Sequence, residues 1–257
     1  MKATLRKIGA LLVKDAVDMV KNPTMIVCIV MPVGMAVFYR FFMGEMGLGG
    51  PLRQSVMTDV QPQLASMIEY IVLSLSLCMA IGMGGATSLI YGLAEEKEKH
   101  TLRTLMLANV TAEQIVLARG LVALGLTVAV EVLCFVMSGA SWSLFGWYIL
   151  LGAVGAVSVI LLSLVVGLAS RDQMTAGLYS VPVLLLVLAP VFGGFSPDIR
   201  AVVRFAPTGG VDELLRLVIA NDLTLAAAWV PLVVTAAWIV VAAVAFKLLY
   251  RRLLRDN

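Results

Sequence analysis

The residues of this chain best placed to do chemistry form one run, Glu95-Glu96-Lys97-Glu98-Lys99-His100-Thr101-Leu102-Arg103-Thr104-Leu105-Met106. The run is dense in both signs of charge and ends on apolar residues, and it lies between two long apolar segments. Its chemistry is recognition rather than catalysis. His100 is the chain's single histidine, so no imidazole pair exists to hold a metal, and no metal site is expected. Such charges cannot rest in hydrocarbon, so the run must sit in water at a membrane surface, where it can meet a soluble partner. The plainer reading is a solvated loop with a Glu95–Lys99 pair, one helical turn apart, worth a few tenths of a kcal/mol. Glu131 is different, being the one carboxylate deep inside an apolar segment. A charge there costs several kcal/mol unless it is paired, protonated or hydrated. It reads either as a hydrogen-bonding group between helices or as a pathway or proton-sensitive group. Gly82-Met83-Gly84-Gly85-Ala86-Thr87-Ser88 is glycine-rich but lacks the lysine that a phosphate-cradling loop needs.

The elements that carry these residues follow from composition. The chain has 257 residues, 61% of them hydrophobic and 14% charged, with a mean hydropathy of +0.99. Soluble domains are about half apolar and about a quarter charged. An all-α polytopic membrane protein is therefore expected, as a single domain over residues 1–257. A net charge of +3 is too small to point to nucleic acid. Cys28, Cys78 and Cys134 lie inside apolar runs and form no CxxC pair, so no disulfide framework is expected. No cleavable signal peptide is expected either, since no apolar stretch starts before Met25.

Along the chain, Leu5, Ile8, Leu12, Ala16 and Met19 share one helical face, and Lys7, Lys14, Asp18 and Lys21 the other. That pattern predicts an interfacial helix over 4–22, ended at Asn22-Pro23. Six spans are expected, at about 24–42, 64–93, 112–138, 145–169, 174–195 and 225–248, each long enough to cross a bilayer. The charged run and its amphipathic continuation fill 94–110, and Thr111 to Gln114 reads as a capping box. Trp142, Trp147 and Tyr148 mark an interface. Ser196-Pro197 reads as an N-cap with proline at the first helical position, so 196–223 should hold short helices, with Val211, Leu214, Leu215 and Val218 on one face, dipping into or lying against the membrane edge. Gly152, Gly155 and Ala156 form a small-residue ridge that suits ordinary bundle packing.

Lysine and arginine set the orientation. Fourteen of the 19 fall on the side of the N-terminus and of the charged run, and five (Arg40, Arg53, Arg200, Arg204, Arg216) on the other. The positive-inside rule then puts both termini and residues 94–110 in the cytoplasm.

In this setting Glu96-Lys97-Glu98-Lys99-His100-Thr101-Leu102-Arg103-Thr104-Leu105-Met106, followed by Asn109-Val110-Thr111, resembles the hallmark of the membrane subunits of ABC-2 type ABC transporters. Their pattern is E-K-E-x-G-T-L-x-x-L-L, then P-[VI]-[ST], between the second and third spans. His100 stands for the usual glycine and Asn109 for the common proline. Ala206-Pro207-Thr208 with Glu213-Leu214-Leu215-Arg216 is similar to the family's extracellular segment before the last span.

The resemblance implies a permease subunit of an ATP-driven exporter in the bacterial plasma membrane. Such subunits pair with a second copy or a paralogue and bind two copies of a cytoplasmic ATPase. ATP and magnesium then belong to the partner, and this chain is neither an enzyme nor a cofactor binder. The coupling helix would present Glu95, Glu96, Glu98 and Lys99 as polar contacts, and Thr101, Leu102, Leu105 and Met106 as packed ones. The interfacial helix would brace it, with lipids around the spans. A proton-coupled secondary transporter using Glu131 is the alternative; it needs no ATPase.

Overall fold

The second apolar run is the axis of the fold. In the computed structural model, which describes residues 22–43, 62–99, 112–194 and 196–253, every regular element is helical. The first span is α1 (Pro23–Met43). The second is built from α2 (Pro62–Met79), a wide π-helical segment (Ala80–Thr87) and α3 (Ser88–Glu98). The third and fourth are α4 (Ala112–Ser138) and α5 (Phe145–Ala169). The fifth is α6 (Gln173–Leu188), which tightens into a 3₁₀ turn over Ala189–Gly194. Two short helices, α7 (Pro197–Val203) and α8 (Gly209–Ile219), precede the sixth span, α9 (Leu225–Leu253). Six of these helical stretches are long and apolar enough to cross a membrane, the second being the most enclosed and the sixth the least. The interfacial helix expected over 4–22, apart from Asn22, lies outside the described residues, as does the Thr111 cap.

Burial explains the glycine run. The second span contacts α4, α5 and α6 at once. A Cβ on Gly82 would lie 2.6 Å from Leu184 of α6, and one on Gly85 would lie 2.8 Å from the Thr127 hydroxyl of α4. Missing side chains let three helices close on one axis. Hydroxyls add bonds to carbonyls of the widened turn: Thr87 Oγ1 donates to Gly82 O at 2.9 Å, and Ser88 Oγ to Gly84 O. Around this axis Leu73, Leu77, Ile81, Leu89 and Leu93 pack with Val159, Leu164 and Leu215 into the main core.

One reading changes. Residues 94–98, expected in a surface excursion, continue the second helix to Glu98, because Ala, Glu and Lys are good helix formers and no glycine or proline intervenes. Tyr148 is buried in an aromatic cluster with its ring 5.3 Å from Phe135, while Trp142 and Trp147 are exposed. The apolar face of α8 turns inward. Val211, Leu214, Leu215 and Val218 are buried in the bundle against α5 and α9.

Local capping sets the helix ends. Ser196 accepts from Asp198 N, with Pro197 at the first turn. Asp172 accepts from Thr175 N at 2.8 Å in a full capping box that opens α6. These hydrogen bonds hold the Asp172 carboxyl below the usual range. Asn221, at φ 54°, closes α8 with Asp222 N donating to Leu217 O at 3.0 Å, an arrangement that asparagine tolerates in the left-handed region. The ridge on α5 is internal packing, with Gly152 against Glu131 and Gly155 against Val211 and Ile81.

The described cations separate onto two ends of the bundle. Lys97, Lys99, Arg119, Arg171 and Lys247 stand at the end that carries Glu95, and Arg40, Arg200, Arg204 and Arg216 at the other.

Candidate functional site

The end of α3 is a hub. Each of four consecutive residues reaches a different neighbour. Glu95 accepts from the Asn22 side chain, which also caps α1 by accepting from Thr24 N at 2.9 Å. Glu96 is buried and pairs with the buried Arg119 of α4. Lys97 donates to the Leu168 and Ser170 carbonyls, at 2.5 and 2.8 Å, at the C-terminus of α5. A cation is favourable there because the last carbonyls of a helix lack partners. Glu98 accepts from Gln173 N at 3.1 Å, the first residue of α6. Lys99 reaches back to Glu95 as an i,i+4 pair.

Consecutive residues on a helix point about 100° apart, so four in a row cover the full circumference. A helix end at the middle of a bundle therefore ties to spans on every side. The charged residues thus split into two groups. Glu95, Glu98 and Lys99 retain partly or fully exposed side chains. Glu96 does not face outward, because its carboxylate is spent on Arg119. Thr101, Leu102, Leu105 and Met106 lie outside the described residues. Lys97 and Arg119 carry bonds that the order of charges alone did not assign to them.

Glu131 is fully buried on α4, and both its oxygens lack a hydrogen-bond partner among the described residues. Its carboxylate lies over Gly152, so close that a Cβ there would collide with it. The Tyr148 hydroxyl, one turn from Gly152, is also buried without a partner.

A second buried acid, Asp212 of α8, escapes sequence reasoning. It accepts from Tyr70 Oη at 2.6 Å and from Ser74 Oγ, both on α2. The available signal was the Tyr70/Ser74 spacing of one helical turn, which puts two hydroxyls on one face. Burial pushes the Asp212 carboxyl up to about 6, against the lowering effect of the Ser74 and Tyr70 hydrogen bonds; Glu213 raises it and Arg200 lowers it. An acid with a raised native value binds more protons folded than unfolded, so stability falls as pH rises through the window from about 4 to about 6. Two units correspond to about 3 kcal/mol. The detergent-solubilised protein is expected to melt lower at pH 7 than at pH 4.5. Asp212→Asn is expected to flatten that part of the profile; an unchanged profile in the variant would remove Asp212 as its source.

Six membrane-length helices with cations sorted to two ends define a multi-pass membrane protein. The family described as ABC-2 family transporter protein matches residues 52–247, about three quarters of the chain. The chain belongs to that family and is thus a membrane subunit of an ABC transporter, a class that is normally non-enzymatic and associates with an ATPase subunit. No curated protein matches the chain.

Proposed function

We propose that the chain is the permease of an ATP-driven exporter in a bacterial plasma membrane, one transmembrane domain over residues 1–257 that works as a dimer on two ATPase copies. Both termini and the Glu95 end face the cytoplasm. ATP and magnesium bind the ATPase. The amphipathic stretch after Lys99 docks on that subunit, with Glu95, Glu98 and Lys99 at its edge and Thr101, Leu102, Leu105 and Met106 as the packed contact. Glu96 acts inward as a brace.

The observation that supports this reading is the hub. A push on the segment that follows Lys99 enters α3 and is delivered to α1, α4, α5 and α6 through the bonds of Glu95, Glu96, Lys97 and Glu98. A handle joined to one span would move one helix; a handle joined to four can change the relation of the spans. Pro32, Pro182 and Pro231 lie inside α1, α6 and α9 and supply bending points, since proline removes a backbone donor.

Co-purification of the ATPase tests it. Leu102→Asp is expected to reduce recovered ATPase at least tenfold, because it buries a charge in the packed contact. Glu98→Ala should reduce it a few-fold. Leu102→Asp should not change the melting temperature, and Glu98→Ala, which also removes the bond to Gln173 N, should lower it only slightly. Unchanged assembly and unchanged ATP-dependent transport in both variants would overturn the assignment.

Glu131 favours a second reading, a proton-coupled carrier, because it is buried with both oxygens unpartnered. In that case Glu131→Gln abolishes transport and nucleotide is dispensable. In an ATP-driven exporter, transport requires nucleotide and the glutamine variant retains it.

A further inference from the structure

A cavity of about 610 Å³ opens at the end of the bundle opposite Glu95, between α7, α8 and α9. It is two-sided. One wall carries Arg200, Arg204, Arg216 and Glu213, and the other carries apolar residues of α9, Val230 and Val234 among them. Glu213 accepts from Arg200 Nε at 3.1 Å and from Arg216 Nη2 at 2.8 Å, so one carboxylate serves two guanidinium groups. Burial alone would raise the Glu213 carboxyl, but those hydrogen bonds outweigh it and hold it below its usual range. Arg204 rests over the Phe205 ring at 4.7 Å, and among the described residues no carboxylate pairs with it. Arg216 Nε is buried with no hydrogen-bond partner. The wall therefore holds two positive charges in excess and free guanidinium donors.

We infer that this cavity binds an amphiphile with an anionic phosphate-type headgroup, the headgroup on the arginine wall and its hydrocarbon tail along Val230 and Val234. Guanidinium forks match phosphate oxygens in geometry as well as charge. A volume of this size suits a small organic ligand rather than a bare ion. The apolar wall belongs to the least enclosed span, so a tail can enter from the side without leaving hydrocarbon. Glu213 holds Arg200 and Arg216 in place, which leaves Arg204 as the adaptable contact.

Binding requires no ATPase, so the test is independent of the coupling assignment. The purified full chain in maltoside detergent is titrated with n-dodecyl phosphate, dodecylphosphocholine or inorganic phosphate, and binding is followed by thermophoresis. The expected result is saturable binding of dodecyl phosphate, weakened by added salt, with both other probes at least tenfold weaker. Arg204→Glu, which removes the headgroup contact, and Val234→Trp, which fills the tail path, are each expected to weaken dodecyl phosphate at least tenfold while melting like the parent. Equal affinity for the zwitterionic probe would reduce the site to nonselective headgroup contact and overturn the inference. Equal affinity for inorganic phosphate would make it a bare anion site and overturn it too. The probe comparison on the unaltered protein decides the matter even where a variant fails to fold.

Discussion

Arg119→Glu is expected to leave almost no folded protein. The substitution places a second carboxylate against Glu96, whose side chain is buried at the junction of α3 and α4. Removing one partner of a buried pair costs about 3–5 kcal/mol, because the remaining charge keeps its desolvation penalty without compensation. Reversing the sign adds repulsion to that loss. Domains are stable by only about 5–15 kcal/mol, so most of the margin disappears. The effect should be read as a collapsed monodisperse peak on size-exclusion chromatography in detergent, and as a melting temperature far below that of the parent. The double exchange Glu96→Arg with Arg119→Glu restores an opposite pair and should recover a substantial part of the loss. A single variant that melts with the parent would show that the pair contributes nothing and would remove the strongest strut of the hub.

Gly210→Ala is expected to be a strongly damaging single-methyl addition in the outer half of the bundle. Gly210 is the second residue of α8 and lies directly on α9. A Cβ there would stand 2.3 Å from Thr235 Oγ1 and 2.5 Å from the Pro231 carbonyl oxygen. A carbonyl belongs to the backbone and cannot rotate away as a side-chain end can. The Thr235 hydroxyl is already engaged, donating to Pro231 O at 2.9 Å. Overpacking of this kind costs about 1–3 kcal/mol, and here it also displaces α8 and the Asp212 contacts to α2. Gly120→Ala provides the contrast. Its nearest neighbours would be Ile160 and Leu164 at 3.8 Å, ordinary contact distance, and alanine has the better helix propensity by about 1 kcal/mol. Gly120→Ala should therefore melt at or above the parent, and Gly210→Ala well below it. The reverse order would mean that α8 does not sit on α9 as described.

Periodicity and hydropathy were enough to place the six membrane-length helices and the two short ones before the last, because each is decided by a long run of apolar residues or by a local cap. Ser196-Pro197 is legible for the same reason, since an N-cap and its proline act within one turn. The kinship to ABC-2 subunits was legible as well, in a run of residues whose identity and order need no fold to be recognised. Partners were not legible. Glu96 and Glu98 stand two apart with the same charge, yet one is buried against Arg119 and the other stays at the surface beside Gln173. A helix turns about 100° per residue, so which of several neighbouring charges faces inward depends on where adjacent helices lie. Asp212 and Tyr70, 142 residues apart, meet for that reason too. Apolar surface is non-directional and reads from composition; hydrogen bonds and ion pairs are directional and short-ranged, so only the assembled bundle could decide which polar groups brace it and which remain available.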